Sequence, residues 1–222
     1  MANAVEKVNT IAIADIEAIN TITDANLQAL NTLEFTGVAP DAHTLIASQT
    51  PATESNVSIT FDTSSLGSYD VLMFDWINFD PTGGSDDLLT FQVTTSSYAY
   101  NAPITSTYFR GYHNEANSVG NVLYDGDGDQ AQGVAYNWLG TYVDQDEDDS
   151  SGSGNLTIFG HSSGTYVKQF TSRSSTEAGA AAYDAYVAGY VNTVEAVTAV
   201  QFKALAGGTF TGTIKLYGLV KS

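Results

Sequence analysis

Three groups of residues in this 222-residue chain are of types that do chemistry: its histidines, two acidic runs and a bunch of tyrosines. The histidines are His43, His113 and His161, and His113 has Glu115 nearby, as acid–base work would want. A strand-end histidine beside a loop carboxylate is the plainer reading of that pair. The run Asp144-Gln-Asp146-Glu147-Asp148-Asp149 leads into Ser-Ser-Gly-Ser-Gly and reads as a solvated loop. Glycosidase chemistry needs two carboxylates facing each other, about 5–10 Å apart, on firm elements. No enzyme is expected.

A second acidic run, Asp125-Gly-Asp127-Gly-Asp129, spaces its carboxylates so that all three can turn toward one hard cation such as Ca²⁺. It is not an EF-hand, because Gln130 and Tyr136 stand where Gly and Glu are required. An acidic turn made of good turn formers is the alternative. No cofactor is required. Several of the 13 tyrosines bunch with a phenylalanine, as Tyr98, Tyr100, Tyr108, Phe109 and Tyr112, and tyrosine rings stack on sugars or anchor interfaces; Tyr98, Tyr100, Tyr108 and Tyr112 are the candidate glycan residues. Tyrosine is equally a preferred strand residue, so packing within a sheet competes with that role.

The elements that must position these residues follow from composition and periodicity. Hydrophobic residues make up 43% and charged ones 14%, which gives a folded core rather than disorder. Seven basic residues against 25 acidic ones leave a net charge of −18, which makes nucleic acid and anionic membrane poor candidate partners. Cysteine is absent, which removes disulfides and thiolate metal sites. The opening Met1-Ala-Asn-Ala-Val-Glu-Lys7 has no secretory character, and no apolar run approaches the ~20 residues of a membrane span, so a soluble cytosolic product is expected.

Beyond Gly37 the period is two. Leu89, Phe91 and Val93 alternate with Thr90, Gln92 and Thr94, as a half-buried strand should, and residues 71–79 are apolar on both faces, as a central covered strand should be. Trp76 therefore belongs to the core. Further runs lie at 57–61, 105–112, 134–143, 156–159, 166–171, 197–203 and 210–217. Turns are expected at 81–85, 125–129, 150–155 and 207–209, and one or two helical turns at 177–183. About nine strands without βα alternation predict an antiparallel β-sandwich of jelly-roll type.

Before Gly37 the chain repeats every 11 residues. Val5-Glu-Lys-Val8-Asn-Thr-Ile11 recurs as Ile16-Glu-Ala-Ile19-Asn-Thr-Ile22 and as Leu27-Gln-Ala-Leu30-Asn-Thr-Leu33. A supercoiled helix and a string of capped helical turns with short extended pieces both fit this period. Nine aliphatic side chains on so short a segment cannot cover one another. They must pack on the chain's own body or on sister subunits. The expected organisation is a stem at residues 1–36 and a β-sandwich head at 37–222.

The stretch Glu6–Asn20 resembles the N-terminal stems of tailed-phage virion proteins, with Thr10, Thr21 and Thr32 where glycine is commoner. Val200-Gln-Phe-Lys203 and Gly212-Thr-Ile-Lys-Leu-Tyr-Gly218 are similar to the closing strands of β-sandwich heads on phage tail-fibre, knob and capsid-decoration proteins. The resemblance implies a virion structural component that assembles in the host cytoplasm as a homo-oligomer, by family habit a trimer. Its partners would be other capsid or tail proteins. The rival reading is a carbohydrate-binding module for host-surface glycan, using the tyrosine cluster and calcium at Asp125, Asp127 and Asp129.

Overall fold

Alternation of apolar and small polar side chains carries most of the body into strands. A computed structural model describes residues 43–51 and 58–220. The chain divides into two units, Met1–Ala42 and His43–Ser222. The repeat, with Val5, Val8, Ile11, Ile16, Ile19, Ile22, Leu27, Leu30 and Leu33, lies outside the described residues.

Thirteen strands are present among the described residues: β1 (Thr44–Gln49), β2 (Ile59–Asp62), β3 (Tyr69–Pro81), β4 (Leu89–Thr94), β5 (Ile104–Asn114), β6 (Gly120–Tyr124), β7 (Gln130–Gly133), β8 (Asn137–Trp138), β9 (Ser151–Phe159), β10 (Lys168–Glu177), β11 (Ala181–Val191), β12 (Ala199–Ala204) and β13 (Phe210–Val220). All pair antiparallel. The large sheet runs β1-β13-β3-β9-β10-β11-β5-β6, with β7 also on β5, and the small one runs β2-β12-β4-β8. The expected antiparallel β-sandwich is what the chain forms.

Aromatic rings hold the two sheets face to face. Phe74 of β3 meets Phe61 of β2 at 5.5 Å and Phe202 of β12 at 5.2 Å, and Phe91 of β4 meets Phe170 of β10 edge-on at 5.0 Å. Leu72, Leu156, Ile158 and Val200 complete this core at 0–1% exposure. Trp76 joins it at 3%.

Several expectations are corrected. The polar side of β4 is not solvated, since Thr90 and Gln92 are both fully buried. Gln92 Nε2 donates to the carbonyls of Ala102 (2.9 Å) and Ala135 (3.1 Å), which belong to segments crossing over the small sheet. A buried amide is needed because those crossing backbones bring unpaired acceptors. Strand β3 is central in its sheet but fully covered on one side alone: Leu72, Phe74 and Trp76 are buried, whereas Val71, Met73 and Asp75 are half-buried. A bulge resets its parity, so that Trp76 and Phe79 both point inward. Asn78 at the bulge has a φ of 54°, and the opposing Gly212 sits at 111°, where a Cβ would lie 2.6 Å from the Asn78 carbonyl.

The run at 134–143 supplies only β8 and one isolated bridge, Asp87 to Val143. The expected turn at 150–155 is instead the first half of β9. Its glycines serve close packing: a Cβ on Gly154 would lie 2.5 Å from both the Arg173 carbonyl and the Trp76 ring. The expected helical turns at 177–183 are a tight hairpin between β10 and β11. Ala178 and Ala181 exchange N–H···O bonds of 3.1 and 3.2 Å, and Gly179 and Ala180 both take positive φ, 58° and 57°. That is the turn whose twist matches flanking strands.

Two glycines give a test. Gly154→Ala should destabilise the protein by about 1–3 kcal/mol through overpacking. Gly111→Ala, whose new Cβ meets nothing nearer than 3.7 Å, should leave stability within ~0.5 kcal/mol. Equilibrium unfolding in denaturant reads both.

Candidate functional site

The acidic turn at Asp125–Asp129 joins β6 to β7 and closes over Tyr108, whose ring leaves no room for a side chain at Gly128. Its carboxylates take separate partners. Asp125 forms a 3.0 Å ion pair with Arg110, Asp125 Oδ1 accepts the Asp127 N–H at 3.2 Å, and Asp129 accepts the Tyr124 hydroxyl. Among the described residues, Glu147, Asp149 and Glu177 converge, offering oxygens all within 4.8 Å of one another. Ser150 donates to both Glu177 (2.5 Å) and Glu147 (3.4 Å). Sequence spacing groups neighbours along the chain. It passed over Glu177, which the strand pairing of β10 with β9 brings back to the acidic loop.

The four tyrosines disperse. Tyr108 is fully buried, donates to the Gly140 carbonyl at 3.1 Å, and has its phenol pushed up by burial. It cannot meet an external sugar, which corrects that part of the expected glycan cluster. Tyr112 stacks on Tyr183 at 5.7 Å, and by alternation shares the inner face of β5 with Tyr108 and Arg110. Tyr98 and Tyr100 lie apart, on the loop after β4.

The histidines do not assemble a catalytic group either. His113 Nε2 meets Asn117 Oδ1 at 3.2 Å, while the Glu115 N–H donates to the Ala180 carbonyl at 2.9 Å. His161 is buried, at 1% exposure, in Gly160-His-Ser-Ser-Gly164. Those five residues have the spacing of a nucleophile elbow, which needs a strand-to-helix turn. Here they connect two antiparallel strands, β9 and β10, with Ser162 in the elbow position, and the adjacent Ser163 Oγ accepts the N–H groups of Thr165 and Tyr166, both at 3.2 Å.

The most developed surface is the outer face of the large sheet, turned away from the small one. Strand register aligns Tyr124, Phe109, Tyr186, Arg173 and Asn155 in one row across β6, β5, β11, β10 and β9. Phe109 and Tyr186 lie parallel, 4.9 Å apart and 4° from coplanar orientation. Arg173 lies over Tyr186 at 4.9 Å, and binds Asp184 through two bonds of 3.0 and 2.9 Å. Tyr186 donates to the same carboxylate at 3.0 Å. The Arg173 bonds hold Asp184 below the ordinary carboxylate range, so the pair stays ionic and locally neutral.

On either side of this ridge the face is hollow: one neighbouring row is Val122, Gly111, Asp184, Ser175 and Ser153, the other Thr107, Ala188, Thr171 and Thr157. One side is an open trough of about 930 Å³ over Gly111, Ser153, Ser175 and Ala182. The other holds adjoining hollows of about 270 and 440 Å³ over Thr107, Thr171 and Ala188. Sequence reasoning missed this site because its residues are contributed singly by five strands. Phe109, within the aromatic bunch at 98–112, is the one member that the sequence singles out.

No protein-family model matches the chain, and no curated protein matches it significantly.

The loop carrying Tyr98 and Tyr100 is pinned by Glu195, which accepts the Thr95 hydroxyl at 2.6 Å and the Ser97 hydroxyl and N–H at 2.5 and 2.9 Å. Bonds from Ser97 first, then Thr95, lower its carboxyl from 4.5 to about 2. A depressed carboxyl pKa contributes stability that is present above the unfolded value and is lost as pH falls through the folded one. Thermal midpoints should therefore fall more steeply between pH 4.5 and pH 2 for the native chain than for Glu195→Gln. Parallel curves would contradict the clamp.

Proposed function

We propose that this chain is a structural subunit of a tailed-phage virion, of the capsid-decoration, knob or tail-fibre kind. It joins copies of itself through residues 1–36 and presents the β body outward. The observation that carries this reading is the repeat of 11, with its nine aliphatic side chains from Val5 to Leu33 and nothing in the segment to shield them. The body does not need the segment to supply its interior rings, since Phe61, Phe74, Phe91, Phe170 and Phe202 already pack on one another. The aliphatic rows are therefore spare apolar surface, and burial against identical rows in sister subunits removes it from water.

A net charge of −18 favours an outward position over contact with packaged nucleic acid. Three copies are expected from the resemblance of the stem and of the closing strands to phage proteins. The subunit would assemble in the host cytoplasm, with other capsid or tail proteins as its fixed partners.

Light scattering on the full chain should give the mass of a trimer. Replacing Ile16, Ile19 and Ile22 together by Ser should give a monomer with unchanged β-sheet circular dichroism. A monomeric native chain would contradict the proposal.

A further inference from the structure

The outer face of the large sheet has features that a scaffold has no use for. A sheet face that only meets water needs no stacked aromatic pair in its middle and no hollows beside it. Phe109 is 41% exposed here, and Tyr186 is held rigid between it and Arg173. We infer that the row Phe109–Tyr186–Arg173 and the troughs flanking it form a binding site for a linear, neutral oligosaccharide lying across the strands.

Charge selects the class of ligand. The protein is strongly acidic, and the row's one cation is already spent on Asp184 through two hydrogen bonds. An anionic glycan or a phosphate would find no unmatched positive charge there. The trough's lining is mixed: Ser153, Ser175 and Asn155 offer hydroxyls and a side-chain amide, while Gly111, Ala182 and Val122 offer apolar surface. Those hydroxyls and amides both donate and accept, as a polyol requires. Tyr186 is covered by Phe109 on one face and Arg173 on the other, so the ring left for a sugar, which has an apolar face and a polar rim, is that of the half-exposed Phe109.

Size agrees. The trough's volume of about 930 Å³ is in the range of ligand sites. From β6 to β9 it crosses four inter-strand steps of ~4.8 Å, about 19 Å in all, enough for several sugar rings. The site is also firm, because each contributing side chain stands on a strand paired on both sides, β6 excepted. Tyr98, Tyr100 and Tyr108 take no part. This inference does not depend on the virion reading, since it rests on the body alone.

The test uses the full chain against a panel of linear neutral gluco-, manno- and galacto-oligosaccharides and their uronate and sulfated counterparts, with binding followed by calorimetry. At least one neutral member should bind, with no gain on adding calcium. Phe109→Ala should weaken it about tenfold by removing a stacking ring. Gly111→Gln, which fills the trough from a position where a Cβ makes only ordinary contacts, the nearest 3.7 Å from Val122, should abolish it while leaving the thermal midpoint unchanged. Silence across the neutral panel, preference for the charged members, or binding that survives both substitutions would overturn the inference. So would a Gly111→Gln chain that changes oligomeric state instead, because the face would then be a subunit interface. Loss of trimer in the stem variant with glycan binding retained would separate the two proposals.

Discussion

The packing of phenylalanine rings between two sheets of unequal size governs the rest of this molecule. Phe61, Phe91 and Phe202 from the small sheet meet Phe74 and Phe170 from the large one, and each buried ring removes on the order of 150–250 Å² from water. The four-stranded sheet is not the whole cover for the larger one. Over β5 the remaining inner surface is closed by the stretch from Asp125 to Val143, where Tyr108, Trp138 and Tyr142 pack edge-on at 5.9 and 5.6 Å. Inner demands are met on one side, and the outer face of the large sheet is left to side chains chosen for something other than core packing.

This division explains where sequence reading succeeded. Strands announced by branched and aromatic residues, such as Ile59–Asp62, Ile104–Asn114 and Phe210–Val220, were legible because burial of alternate residues imposes a period of two. Strands built from small residues were not. Ser151–Phe159 begins Ser-Gly-Ser-Gly because Trp76 and the Arg173 backbone press against Gly154, and that composition is the same as a loop's. Ala181–Val191 was hidden by alanines and by a tight turn that puts Ala180 at a positive φ. Ser151–Phe159 and Ala181–Val191 both lie in the large sheet, and with Ile104–Asn114 they line the hollows of its outer face.

The candidate site was illegible for a related reason. Aspartates two apart in sequence invite a cation, yet Arg110 and Tyr124 draw Asp125 and Asp129 to different partners. Tyrosines close in sequence invite a sugar, yet alternation sends Tyr108 and Phe109 to opposite faces. What assembles instead is a row with one residue from each of five strands, and only register can reveal that. The stem is the reverse case, since its period of 11 is read directly from the sequence and lies outside the described residues.

The working surface proposed for the body is the outer face of the large sheet, backed by the rings beneath it. The most direct measurement is residue-resolved amide chemical shifts of the full chain during titration with the tightest-binding neutral oligosaccharide. The account predicts saturable shifts grouped on Phe109, Gly111, Arg173, Ser175 and Asp184. Shifts grouped on Tyr98–Tyr100 or on Asp125–Asp129, or the absence of any saturable shift, would contradict it.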